Sequence, residues 1–135
     1  MQKTVHRSSF IVVAEDDEEM RKLLVGCLQK EGYRAMGVRN ALELLDYTGP
    51  ETALPSNPEP DLIISDIRMP GVTGLSFLEG LKSMNSPIPV IIITAFGSPE
   101  IHQEALRLGA AAVFDKPFDM DHLKESVKEI LGGDE

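Results

Sequence analysis

With one cysteine in 135 residues, the chain can form no internal disulfide. A lone Cys27 also fits a reducing compartment. Basic residues are in short supply, 13 Lys and Arg against 22 Asp and Glu, for a formal charge of −9. Nucleic-acid binding through a domain's general field needs a net basic surface, so that class is disfavoured, although a local basic patch is not. Long apolar runs are missing too. The longest, residues 90–96 with only Thr94 polar, falls far below the roughly 20 residues of a membrane-spanning helix. Residues 1–9 are polar, and no apolar stretch of a signal peptide follows them. The three histidines, His6, His102 and His122, are scattered and fit no metal spacing. What is present is 42% hydrophobic and 26% charged, the balance of a globular protein rather than a disordered one. The length fits one domain with a real core. The expectation is one acidic, soluble, cytoplasmic domain.

Along the chain, short apolar runs alternate with helical stripes. Residues 10–14 (Phe10-Ile-Val-Val-Ala14) form a β-branched run of the kind buried on both faces of a parallel sheet. An acidic block, Glu15-Asp16-Asp17-Glu18-Glu19, follows it. Met20, Leu23, Leu24, Cys27 and Leu28 then recur at helical spacing, with acids at the positive end of the helix dipole and Gly32 as the stop. Cys27 is read as core because it lies in that stripe. Residues 33–38 are a weaker strand. Asn40 caps a helix with stripe Ala41, Leu44 and Leu45. Residues 48–60 hold Pro50, Pro55, Pro58 and Pro60, an irregular connection that is long for a compact domain. It is either a partner contact or a neutral insertion. Residues 62–65 are a third strand ending at Asp66, and Pro70-Gly71 marks a turn. Leu75, Phe77, Leu78 and Leu81 then build a helix. Residues 89–94 are the most apolar strand. Ser98 caps a helix with Pro99 at its first position and Ile101, Ala105 and Leu108 inside. Residues 111–115 form a fifth strand. Asp119 caps a last helix with stripe Met120, Leu123, Val127, Ile130 and Leu131.

Five strand–helix units in alternation imply an α/β domain with a parallel sheet and helices on both faces. Ligands of such sheets sit at the carboxyl ends of the strands. Glu15 and Asp16, Asp66, Thr94 and Lys116 collect there. Carboxylates gathered in one pocket repel, and a hard divalent cation such as Mg²⁺ offsets them. Beside such a cation and a lysine, a carboxylate is placed to attack phosphorus. The pocket thus points to phosphoryl transfer onto an aspartate. An acid, a lysine or a threonine at one strand end is most often a solvated cap or surface group, and it is the joint occurrence that carries the reading.

These residues carry a family resemblance. The sequence resembles a two-component response-regulator receiver domain in four motifs: Ile11-Val-Val-Ala-Glu-Asp16; Asp66-Ile-Arg-Met-Pro-Gly71 with Gly74; Pro89-Val-Ile-Ile-Ile-Thr-Ala95; and Asp115-Lys-Pro-Phe118. They stand in the family's order and cover about residues 10–131. The resemblance implies a flavodoxin-like doubly wound fold, a five-stranded parallel sheet of order 2-1-3-4-5. Residues 1–9 would be a polar arm and 132–135 a tail. Asp66 would be the phosphoacceptor, assisted by Lys116 and Thr94. Mg²⁺ would be held by Asp16, Asp66 and the backbone carbonyl of Arg68, with Glu15 acting through a water. Ala95 would leave the phosphate pocket open, and Lys116–Pro117 would be cis. Catalysis would be confined to the domain's own phosphorylation and dephosphorylation. The donor would be a phosphohistidine on a sensor histidine kinase or histidine phosphotransfer protein, since His6, His102 and His122 offer none. Homodimerisation through the fourth helix, fifth strand and fifth helix is a further family expectation. No effector segment follows Leu131, so the sequence is read as a stand-alone regulator or a receiver cut from a longer chain.

Several positions depart from the pattern or leave a choice open. Glu15–Asp16 and Asp16–Asp17 both fit the acidic pair; counting back from Met20 favours the first and leaves Asp17 as a helix cap. Receivers usually carry an aromatic three residues before the lysine, where Val113 stands, and alternation points Phe114 to the opposite face. Arg68 and Phe96 flank the pocket and either gate water or face solvent. A phosphorylation-independent interaction module on the same fold is the rival function. A small-molecule phosphatase lacks its second aspartate, because Arg68 occupies that place. A flavin carrier is disfavoured by acids where its phosphate loop belongs.

Overall fold

A computed structural model of the chain describes residues 9–48, 59–68, 73–95 and 97–132. The turn at Pro70-Gly71, Phe96 and most of the proline-rich connection lie outside these residues, as do the side chains of Ala41 and Leu45. Three apolar runs form the centre of the sheet: β1 (Phe10–Ala14), β3 (Leu62–Asp66) and β4 (Val90–Thr94), every residue of which is buried. The edge strands β2 (Arg34–Val38) and β5 (Ala112–Asp115) are only partly covered, which matches their weaker apolarity. All pairings are parallel, and the strand order is β2-β1-β3-β4-β5, as expected.

Alternation divides the core in two. Val12, Ile63 and Ile92 pack with Leu44 of α2 (Ala41–Thr48), Phe77, Leu78 and Leu81 of α3 (Gly74–Ser83), and Ala105 of α4 (Pro99–Arg107). Ile11, Val13, Ile64, Ile91 and Ile93 pack with Leu24 and Leu28 of α1 (Glu18–Lys30) and Leu123 and Val127 of α5 (Met120–Ile130). Each fully buried aliphatic side chain of this kind contributes about 1.5–3 kcal/mol.

The helix ends follow the expected chemistry. Asp17, Ser98 and Asp119 cap α1, α4 and α5, accepting from the N–H groups of Glu19, Ile101 and Asp121. Asn40 accepts from the N–H of Glu43 at 2.9 Å. Gly32 closes α1 at φ 98°, a left-handed conformation that glycine adopts without strain. The stripe of α1 is narrower than its spacing suggests. Leu24 and Leu28 are buried, Met20 and Cys27 are half-buried, and Leu23 is exposed. The helix meets the sheet along the Leu24–Leu28 line, so Cys27 sits at the margin of the core rather than inside it.

Candidate functional site

The carboxyl ends of β1 and β3 flank the point where the chain reverses its direction across the sheet, the usual ligand crevice of such folds. The ladder carries the acidic pair there: Glu15 N–H donates to the Val38 carbonyl at 3.0 Å, one residue beyond β1. Asp66 is the last residue of β3 and stands in register with Ile93. Ile67 N–H donates to the Ile93 carbonyl at 2.9 Å, so Thr94 follows immediately on the neighbouring strand. Lys116 N–H donates to the Thr94 carbonyl at 2.7 Å, tying the end of β5 to the end of β4.

Glu15, Asp16 and Asp66 bring one carboxylate oxygen each within 4.8 Å of one another. Glu15 and Asp66 are buried, while Asp16 is exposed at the mouth. Lys116 spans the two buried acids, donating from Nζ to Asp66 Oδ2 at 2.7 Å and to Glu15 Oε1 at 2.9 Å. The backbone N–H of Arg68 donates to Asp66 Oδ1 at 2.8 Å, which fixes the other oxygen of that carboxylate. Glu15 Oε2 accepts from the N–H of Asp17 at 3.1 Å. Burial pushes the Glu15 carboxyl up to about 7, against the Lys116 hydrogen bond, and the charge of Asp66 adds to the rise. Burial alone would lower the Lys116 ammonium, but its hydrogen bonds to Asp66 and Glu15 outweigh this and hold it above the ordinary lysine value.

The donor set suits a hard divalent cation. Three carboxylates facing one ammonium carry a formal excess of two negative charges. Two oxygens on one Mg²⁺ stand at most about 4.2 Å apart, given Mg–O distances near 2.1 Å. Oxygens within 4.8 Å of one another are therefore close enough for small side-chain rotations to bring them onto one such ion.

The structure brings together Glu15, Asp16, Asp66 and Lys116, and it sets Thr94, fully buried, at the adjoining strand end. Asp17 caps α1, and the acids that lie together are Glu15, Asp16 and Asp66. The Lys116–Pro117 bond is cis. The Arg68 side chain is exposed, and this residue reaches Asp66 through its backbone. Phe96 lies outside the described residues. Val113 packs with the α2–α4 side of the core, while Phe114 faces the α1–α5 side, its ring centroid 6.1 Å from that of Phe118. Alternation along β5 therefore removes an aromatic from the face where receivers usually have one.

Sequence reasoning missed three contacts. Glu15 pairs with Lys116 across 101 positions. His102 Nε2 lies 2.8 Å from Asp115 Oδ1, joining α4 to the end of β5. Arg21 Nη1 donates to the Glu15 carbonyl at 2.9 Å. No spacing rule links these residues, and only the sheet order brings the first two pairs together.

The comparisons agree with this fold. The family model described as the response regulator receiver domain matches residues 11–128. The chain is 36% identical over 121 residues to sporulation initiation phosphotransferase F of Bacillus subtilis, covering 90% of this chain and 92% of that protein. It is 33% identical to the transcriptional regulatory protein FixJ of Bradyrhizobium diazoefficiens, covering 90% of this chain but only 56% of that longer protein. Among solved structures, the receiver domain of Francisella response regulator 1452 superposes with a TM-score of 0.83 at 27% identity, covering 92% of this chain and 97% of that one. The chain therefore belongs to the response regulator receiver domains and is a phosphoacceptor of two-component signalling.

Proposed function

We propose that Asp66 is the phosphoacceptor and that a phosphohistidine on a sensor kinase or phosphotransfer protein is the donor. The observation that carries this reading is the orientation of Asp66, whose two oxygens are held by Lys116 Nζ and the Arg68 N–H at the buried floor of the acidic pocket. An Asp66 oxygen forms the new P–O bond as the P–N bond to the donor imidazole breaks, and the imidazole nitrogen keeps the electron pair. Lys116 follows the charge by moving from Asp66 onto a phosphoryl oxygen, and the Thr94 hydroxyl binds another. Asp16, Asp66 and the Arg68 carbonyl would hold Mg²⁺, with Glu15 acting through a water; the ion would supply charge neutralisation for the incoming phosphoryl oxygens. Glu15 keeps Lys116 in the pocket while Asp66 is being modified. Hydrolysis by the domain itself returns the carboxylate. The complete Asp66, Thr94 and Lys116 set argues against an interaction module that works without phosphorylation.

The working unit in this reading is residues 10–131, and its location is the cytoplasm, consistent with free Cys27. No helix among the described residues is long and apolar enough to cross a membrane. Homodimerisation through α4, β5 and α5 remains the family expectation. The test is incubation with acetyl phosphate and Mg²⁺ followed by intact mass. One added phosphoryl group is expected, absent in Asp66→Asn and in chelator. An adduct that persists in Asp66→Asn overturns the assignment, and no adduct even with histidine-kinase donors returns the interaction module to favour.

A further inference from the structure

Arg21 belongs to no motif of the site, yet it is tied to the peptide that presents the acidic pair. From the second turn of α1 its Nη1 reaches back six residues to the Glu15 carbonyl at 2.9 Å, in a half-buried setting. Its backbone N–H donates to the Asp17 carbonyl at 2.9 Å, so the helix start and the guanidinium clasp the β1–α1 turn from both ends. The path of the side chain is prepared by the neighbouring strand. A Cβ on Gly37 of β2 would stand 2.7 Å from Arg21 Cγ and 2.9 Å from its Cδ. The methylene stem therefore lies directly on Gly37, where any other residue would push it aside.

Every polar atom of Glu15 thereby has a partner. Its N–H goes to Val38, its carbonyl to Arg21, Oε2 to the Asp17 N–H and Oε1 to Lys116. The Arg21 bond is made to the Glu15–Asp16 peptide itself, so it bears on the plane from which the Asp16 side chain departs. We propose that Arg21, seated on Gly37, is a positioning residue that holds the Glu15–Asp16 peptide so that Asp16 and Glu15 face Asp66 and form the divalent-cation site.

The inference rests on the reading of Glu15, Asp16 and Asp66 as that site, and its test separates the two. By charge alone, removing a cation beside the pocket should tighten metal binding. A merely structural arginine should lower the melting temperature and leave affinity unchanged. A positioning arginine should weaken affinity, by about tenfold where a ligand-orienting partner is lost. Mn²⁺ titrated into the protein and followed by electron paramagnetic resonance of the free ion reads the affinity, and thermal unfolding in chelator reads stability. Arg21→Ala should lower Mn²⁺ affinity by about tenfold. Gly37→Ala, which keeps the arginine but displaces its stem, should lower it in the same direction, and the double variant should be no worse than Arg21→Ala. Unchanged or tighter binding in both single variants overturns the proposal. Asp16→Asn is the control for the underlying reading. If it binds Mn²⁺ as the parent does, the acidic site itself is wrong, whatever the arginine variants do. If Arg21→Ala does not fold, Gly37→Ala alone decides the question.

Discussion

Gly74 and Gly80 lie on the same helix, and the structure predicts opposite outcomes for the same substitution. A Cβ on Gly74 would stand 2.7 Å from the Asp66 carbonyl oxygen and 2.9 Å from Ile67 Cα, both backbone atoms that cannot rotate away. Gly74 N–H also donates to the Ile67 carbonyl at 2.9 Å, so the start of α3 is bonded to the same segment that an added methyl group would repel. Overpacking of this kind costs about 1–3 kcal/mol. At roughly 3 °C per kcal/mol for a domain of this size, Gly74→Ala should melt about 3–9 °C lower. The strain falls on Asp66, the proposed phosphoacceptor, so adduct formation from acetyl phosphate should slow as well. Gly80 has nothing within 4 Å of its Cβ position and sits on the exposed side of α3. Gly80→Ala should therefore stabilise by up to about 1 kcal/mol through helix propensity and a less flexible unfolded chain. Thermal unfolding of both variants in chelator, with intact-mass kinetics, measures the contrast. If Gly74→Ala melts with the parent, or Gly80→Ala melts as low as Gly74→Ala, the close approach of α3 to Asp66 does not govern stability.

Two further outcomes follow from the same contacts. Glu15 ionises with its carboxyl raised to about 7 from 4.5, so the folded state holds a proton that the unfolded chain has released. This contribution is present in full below 4.5 and is lost as pH rises through 7. In chelator, stability should fall across that window by up to about 3 kcal/mol, and Glu15→Gln should flatten the fall; urea midpoints from pH 4 to 8 that are the same for both proteins would refute this. A Cβ on Gly97 would collide with Asp115 Oδ1 and stand 2.9 Å from both His102 Nε2 and Thr94 Cγ2. Gly97→Ala should thus separate His102 from Asp115 and cost about 1–3 kcal/mol, seen as a lower melting temperature. A parent-like melt together with an unshifted His102 ring resonance would show that the pair does not need the glycine.

Much of the protein is legible in its sequence. The runs at β1, β3 and β4 are apolar throughout because both faces of a parallel sheet are covered, so their burial could be read from composition. Capping by Asp17, Ser98 and Asp119 was visible because a cap is a contact between near neighbours. Alternation along β5 likewise separated Val113 from Phe114 correctly. The stripe of α1 is broader in the sequence than in the structure, because spacing gives a face but not the line along which the sheet meets it. Leu23 and Cys27 lie beside that line.

By itself the sequence determined which residues are strands, which are helices, and which chemically suited side chains stand at strand ends. Those properties depend on local backbone preference and on periodicity, and both are written along the chain. Tertiary structure alone decided how the strand ends meet. Lys116 bonds Glu15 as well as Asp66, Arg21 lies on Gly37 to hold the Glu15 carbonyl, and Gly74 yields its side chain to the Asp66 backbone. These contacts depend on the strand order and on close packing between elements far apart in the chain. Whether a side chain has room is a property of its neighbours in space, and a linear sequence does not name them.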